Sequence, residues 1–489
     1  MDKNQMSKKS GRAVFWSLLT QIAPKLVTPI VNMVLARLLA PEAFGAVATI
    51  NLVITFAEIF TDAGFQKYIV QHEFEDDDDL DKNTNVAFWT NIVVSLIFVA
   101  GIVLFRNQIA RLVGSPGLGF AIAISSINIL LVTFCSTQTA IYNRIMDFKT
   151  LFFARMCTVF VPLAVTVPLA FVMKNYWALL IGTLAMNVLN AIVLTARSKW
   201  KPRFYFSFKL FREMFGFSAW LLLDSVVVWL TSYIGTFIVG RKLDDYYVGL
   251  YKTSMTTVNS ITGIIIMAIT PVMFSQLSRY QDDDAEMKKT FYTYQRLSAV
   301  ILIPLGVGFF VFKDLVTWVF LGSQWSEAVD FIGIWGLTST VAIIFNNYYG
   351  TYYRSRGKPK IALILQSVYL VFLVPIIIFS VNHSYEALFY ARSLIVVIPI
   401  ILSSVTMRVA FGFKITETIG NVLPMIVSAV VMGGVGYGTS LIIDSYAWDF
   451  ACVAICVVVY FALLLLFPKI RREIFSLPVV NRLVKNKVK

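Results

Sequence analysis

The chain has 489 residues, of which 58% are hydrophobic and only 14% charged, with a formal net charge of +14. A soluble protein of this length would need charge on about a quarter of its residues, so a soluble fold is excluded. Apolar runs near ~20 residues, the length that spans a hydrocarbon core, recur end to end. The short alternating segments of a β-barrel are missing. The expected fold is an all-α polytopic membrane protein with about 14 transmembrane helices.

The runs begin near residues 13, 43, 85, 118, 151, 175, 214, 247, 293, 328, 360, 384, 418 and 447. The first is too long for a cleaved signal peptide. It carries Gln21, Lys25 and Asn32, whose spacings of four and seven put them on one helical face. About twelve residues of helix at ~1.5 Å each place Lys25 near the bilayer middle. A lysine there must face water or an anion. The run ends in "MVLARLLAPEAFGAVATI" at 33–50, where Arg37 precedes a Pro-Glu turn and Gly45. At that exterior end Arg37 can snorkel to the headgroups, an architectural role.

The second run carries Asn51, Glu58 and Asp62, again seven and four apart. The two polar stripes point to a watery cavity, though Glu58 and Asp62 also suit a solvated cytoplasmic mouth. The acidic run "EFEDDDDLD" at 73–81 is expected to be a solvated loop, with divalent-cation binding as the alternative. Arg155 stands near the start of the fifth run, as a cavity residue or a snorkelling one. Asp224 lies deep in the seventh. Lys252, in the eighth, is a turn and a half past an exterior glycine, so both an interface and a cavity role are open. Arg392 is in the twelfth.

Two stretches echo one another. "FIVGRKLDDYYVGLYKTS" at 237–254 repeats the punctuated turn of 33–50 at a constant offset of 204: Arg37 falls on Arg241, Leu39 on Leu243 and Gly45 on Gly249. Trp16 likewise falls on Trp220. Further on, Tyr142 and Arg144 fall on Tyr352 and Arg354 at an offset of 210. Two echoes in one order imply two homologous six-helix lobes, residues 1–205 and 206–412, followed by two extra helices and a basic tail at 413–489. Six crossings per lobe make the repeats parallel, about an axis along the membrane normal, with a cleft between lobes that opens to one side at a time.

Orientation follows from Lys and Arg. With fourteen spans both termini share a side. Most of the 42 Lys and Arg lie on that side, whereas the opposite loops hold Arg106, Arg111, Lys174, Arg241, Lys242 and Lys313. Both termini are therefore expected in the cytoplasm. The net charge needs no nucleic-acid partner, since the membrane rule and anionic lipid account for it. Cys135, Cys157, Cys452 and Cys456 all fall within runs, which argues for free thiols. Cys452 and Cys456 stand four apart without a His or acidic companion, so packing is their expected role. His72 and His383 lie in loops without metal-ligand partners. No phosphate-cradling Gly-Lys-Ser/Thr loop is present, so ATP drive is not supported. Nor is there a large polar loop for an enzyme to use.

The basic start "SKKSGRAVFW", then "ARLLAPEAFGAVA", then "FTDAGFQKYIVQ", resembles the polysaccharide flippases of the multidrug/oligosaccharidyl-lipid/polysaccharide exporter superfamily. That resemblance covers the whole chain in length and span count. It implies a two-lobed transporter, monomeric and without a cofactor, in the bacterial inner membrane. It would flip an undecaprenyl-pyrophosphate-linked oligosaccharide to the outer leaflet, driven by a proton or sodium gradient, beside membrane lipids and other polysaccharide assembly proteins. On the residues, Lys25, Asn32, Gln21, Asn51, Arg155 and Lys252 suit a pyrophosphate and its sugars, and Asp224, Glu58 and Asp62 suit ion coupling. The stretch "FNNYYGTYYRSRG" at 345–357 offers Asn346, Asn347, Tyr348, Tyr349, Tyr352 and Tyr353 for sugars, or else an interfacial belt. A cation-exporting drug transporter and a lipid II flippase share this architecture and stand as alternatives. Lys25 favours an anionic cargo over the first, and the "ARLLAP–FG" turn favours the polysaccharide branch over the second.

Overall fold

The computed structural model describes residues 3–62, 64–198, 200–468 and 470–471. They are almost wholly helical, with no strand among the described residues. Among the described residues, fourteen helices are long and apolar enough to cross a membrane: Leu19–Leu38, Pro41–Thr61, Asp77–Leu104, Pro116–Arg144, Phe148–Met173, Trp177–Arg197, Ser218–Lys242, Asp245–Arg279, Asp284–Val311, Ser323–Ser355, Pro359–Val381, Tyr385–Phe411, Ile415–Ser440 and Tyr446–Leu465. They are numbered below in that order. The count and the order match the sequence expectation.

Two of them begin earlier than the apolar runs suggest. The third helix starts at Asp77 and the ninth at Asp284. In each an aspartate caps the end: Asp76 accepts from the Asp79 N–H at 2.7 Å, and Asp283 from the N–H groups of Ala285 and Glu286 at 3.0 and 3.1 Å. Carboxylates in a first turn also meet the positive end of the helix dipole. The run at 73–81, expected to be a solvated loop, is therefore corrected to a helix start over Asp77–Asp81, with only its first residues in a bend. Hydropathy missed it because a capping carboxylate and a loop carboxylate look alike in composition.

Packing divides the chain into two compact units. The first comprises Met1–Ser260, Phe320–Trp325 and Gln366–Leu388. The second comprises Ile261–Val319, Ser326–Leu365 and Phe389–Lys489. The repeats expected at 1–205 and 206–412 are a division by ancestry, which packing does not measure.

The second unit is built on an aromatic core. Tyr348, Tyr349, Tyr352 and Tyr353 are each at most 2% exposed. Tyr349 stacks on Phe291 at 5.5 Å, Tyr352 meets Phe413 edge-on at 5.2 Å, and the Tyr353 hydroxyl donates to the Ser403 carbonyl at 3.1 Å. These four tyrosines are core side chains, neither exposed sugar contacts nor an interfacial belt. Their doublets at i, i+1, i+4 and i+5 are the stripe of a buried helix. A π-helical turn over Ile343–Asn347 precedes them. Its extra residue turns the following face by ~100° relative to an uninterrupted helix. In the same unit Arg392 lies 4.6 Å over the Trp335 ring. Beside the tenth helix, the Asp330 carboxylate accepts from Lys313 and holds that ammonium above its ordinary range. Cys452 and Cys456 are buried, and the Cys456 thiol points at the Met432 carbonyl at 3.6 Å. All four cysteines are thiols, with only Cys157 exposed.

The first unit contains both copies of the punctuated turn, and they touch. A Cβ on Gly45 would lie 1.7 Å from the Asp245 carbonyl oxygen, and one on Gly249 would lie 2.0 Å from that of Pro41. Pro41 and Asp245 are themselves separated by the repeat offset of 204. The contact is thus reciprocal, the relation that a two-fold axis imposes on two equivalent patches. Small residues at such a crossing let membrane helices approach backbone to backbone.

Candidate functional site

The first unit encloses a cavity of about 470 Å³, within the size range of ligand pockets. The first, second, fifth, sixth, seventh and eighth helices line it, with Phe320 and Leu321. Two features of local sequence shape its wall. The first helix contains Pro24 and Pro29, both lining residues. Each ring denies the carbonyl four residues earlier its helical donor and loosens the turn there. The fifth helix passes through a π-helical turn at Pro162–Thr166, and both of those end residues line the cavity. Such turns leave backbone groups available and re-aim side chains.

Four residues singled out by their polarity meet here. Asn32 from the first helix, Asn51 from the second, Arg155 from the fifth and Lys252 from the eighth all line the cavity. Arg155 makes no ion pair among the described residues. Lys252 is half-buried, its ammonium 4.1 Å over the Tyr233 ring and 3.4 Å from the Ser232 carbonyl, to which it donates. Tyr233 is held in turn by stacking on Trp229 at 5.5 Å, and the Trp229 indole N–H donates to Thr55 at 3.0 Å. The lysine is therefore aimed by an aromatic pair that the second helix pins. Among the described residues, no Asp or Glu lines the cavity. Two cations that share a cavity raise the local positive potential, which favours an anion there.

The remaining candidates lie elsewhere. Gln21 and Lys25 are exposed on the first helix and are not lining residues; its lining face instead runs through Pro24, Thr28 and Asn32. Lys25 is one residue, or about 100° of helix, away from Pro24. Glu58 is half-buried in the second helix and Asp224 exposed on the seventh, both outside the lining. The side chain of Asp62 lies outside the described residues.

Sequence reading missed the hydroxyls. Thr28, Thr158, Thr166, Thr183, Thr253, Thr256, Thr257 and Ser260 line the same cavity, with Tyr233. The signal was present on the eighth helix, where Thr253, Thr256, Thr257 and Ser260 follow Lys252 at spacings that share a face. A search confined to charges and amides passes over it. These hydroxyls both donate and accept, as a sugar does.

A family model described as polysaccharide biosynthesis protein matches residues 34–330. The succinoglycan biosynthesis transport protein ExoT of Rhizobium meliloti is 23% identical over 68% of this chain and 67% of its own. The teichuronic acid biosynthesis protein TuaB of Bacillus subtilis is 20% identical over 80% of this chain and 81% of its own. Among solved structures, the lipid II flippase MurJ in an inward closed conformation is similar with a TM-score of 0.74 and 16% identity, over 93% of this chain and 99% of its own. An inward-facing multidrug transporter of the MOP superfamily follows at a TM-score of 0.61 and 13% identity, over 84% of this chain and 98% of its own. These likenesses establish the fold. The family match spans more than half of the chain, and the protein, multi-pass in the membrane, belongs to the polysaccharide biosynthesis protein family.

Proposed function

We propose that the protein carries a lipid-linked oligosaccharide across the membrane for surface polysaccharide synthesis, with an undecaprenyl pyrophosphate as the anchor. One observation carries this reading: Arg155 and Lys252 face a single cavity, and among the described residues no carboxylate lines it. A pyrophosphate matches two cations on one wall, and Asn32, Asn51 and the threonines supply partners for the sugars beyond it. A cationic drug would meet repulsion in the same place. The names of the relatives, a succinoglycan transport protein and a teichuronic acid biosynthesis protein, support the same class of cargo. We read both termini as cytoplasmic from the Lys and Arg asymmetry, so that cargo enters from the cytoplasmic leaflet. Alternating exposure of the cavity would move it across. Glu58 and Asp224 are the carboxylates for coupling to protons or sodium, and Lys25 would act at the approach to the cavity.

The test uses cells whose surface polysaccharide depends on this gene. The double substitution Arg155→Ala and Lys252→Ala removes two charge-assisted contacts, each worth about 1.5–3 kcal/mol. Export should fall by at least about tenfold, while the protein reaches the membrane at its normal level and lipid-linked oligosaccharide accumulates inside. Export at the wild-type rate would overturn the assignment.

A further inference from the structure

The connection between the sixth and seventh helices carries a patch that the transport cavity does not use. Residues 200–207 are not helical and read "WKPRFYFS". Phe204, Phe206 and Phe208 are 93%, 57% and 70% exposed. Lys201, Lys209 and Arg212 are exposed around them.

The segment is held in place. The Arg203 N–H donates to the Asn85 side-chain oxygen at 2.7 Å, and the Trp89 indole N–H donates to the Arg203 carbonyl at 2.8 Å. The Phe204 ring stacks on Trp89 at 4.6 Å. Arg203 is also 3.7 Å from Asp81, so its charge is partly spent there. Glu213, at the start of the seventh helix, is an exposed acid beside these cations. With the backbone pinned at two points, the phenylalanines cannot turn inward to escape water.

Depth can be read from helix lengths. The third helix has 28 residues, or about 42 Å at ~1.5 Å each, against a ~30 Å hydrocarbon core. Its first turns, from Asp77, must therefore project into the headgroup layer. Asn85 and Trp89 stand about 12 and 18 Å along it, which returns the segment to the hydrocarbon boundary. The seventh helix behaves the same way: its first two turns, from Phe208, carry Lys209, Arg212 and Glu213, which keep that end at the headgroup layer. Aromatic rings with basic side chains at that depth are the combination that the interface favours.

We infer that Phe204, Phe206 and Phe208, with Lys201, Lys209 and Arg212, form an interfacial anchor that seats on anionic phospholipid headgroups. The occupant is the lipid leaflet, because the exposed cations complement its charge and the rings need a boundary with hydrocarbon. This inference does not depend on the cargo, since it rests on the connection and not on the cavity.

The experiment uses full-length protein in vesicles of phosphatidylcholine, with or without phosphatidylglycerol. An environment-sensitive fluorophore is placed on Phe206→Cys in a Cys157→Ser background, which removes the exposed native thiol. Emission should be blue-shifted, quenched by headgroup-proximal nitroxide lipids and shielded from iodide, and more so with phosphatidylglycerol. Replacing Lys201, Lys209 and Arg212 by Gln should remove the phosphatidylglycerol response, at roughly fivefold in the partition equilibrium per cation. A label quenched by iodide as fully as in urea-unfolded protein would overturn the anchor. Shielding that appears in native membranes but not in vesicles would also overturn it, in favour of a protein partner.

Discussion

The two copies of the punctuated turn, Ala36–Gly45 and Gly240–Gly249, keep the same glycine and differ in what covers them. Gly45 and Gly249 meet each other's helix start, each at a distance where no side chain fits. Around the first turn the cover is large and apolar. Trp325 is fully buried, donates its indole N–H to the Ala36 carbonyl at 2.9 Å, and meets Phe44 edge-on at 5.4 Å. Gln324 donates to the carbonyls of Leu39 at 2.9 Å and of Ala36. Around the second turn the cover is small and polar. Ser115 donates to the Asp245 carboxylate at 2.6 Å, and Arg241 donates to the Arg111 carbonyl at 3.0 Å. Pro41 opens one helix without needing an N–H partner, whereas Asp244 accepts from the Tyr247 N–H at 3.2 Å to open the other. The backbone crossing tolerates one solution. The caps tolerate many, because any donor that reaches a turn carbonyl will serve.

The sharpest break is at the crossing itself. Gly45→Ala and Gly249→Ala should each cost about 3 kcal/mol or more, since backbone must move to admit a methyl group. Thermal unfolding in detergent should show similar losses for the two. Unequal losses would mean that the contact is not reciprocal in energy as it is in geometry.

A pair of covering glycines comes next, with Gly114 rivalling the crossing and Gly322 falling below it. Gly114 and Gly322 have φ of +92° and +97°, in the region that side chains rarely adopt. An alanine at either should cost about 1–2 kcal/mol in conformation alone. At Gly114 the new methyl would also sit 1.7 Å from the Gly240 carbonyl oxygen, whereas at Gly322 it meets only the Arg37 Cγ at 3.2 Å, which can shift. Gly114→Ala should therefore lower the melting temperature clearly more than Gly322→Ala. Equal shifts would show that the fixed neighbour adds nothing.

The smallest effect is polar. Ser115→Ala removes one hydrogen bond to Asp245, worth about 1 kcal/mol when one partner is charged and partly solvated. A chemical denaturation midpoint that moves by more than Gly114→Ala moves it would reverse the ranking of cap below crossing.

Much of this protein was legible before folding because the bilayer fixes the length of each element. All fourteen spans were readable from apolar runs, and the two early starts at Asp77 and Asp284 were missed only because acidic caps resemble loops. Asn32, Asn51, Arg155 and Lys252 were legible as polar groups in apolar company, a costly arrangement that asks for a reason. What composition could not settle was direction. Lys25 and Asn32 share a face by spacing, yet only Asn32 lines the cavity, whose lining on this helix runs through Pro24, Thr28 and Asn32. The tyrosines of 348–353 carry polar tips at membrane depth, yet they are core.

The sequence by itself determined the number and order of the helices and the presence of two related turns. Those depend on local quantities, hydrophobic length and turn chemistry, which each segment carries alone. Only the tertiary structure decided which polar residues share a cavity, that the repeated glycines meet one another, and that a string of hydroxyls joins two cations on the wall. Those depend on the rotation of each helix about its own axis. In a bilayer that rotation is set by neighbouring helices, because the solvent on the outer face is as apolar as the packing within.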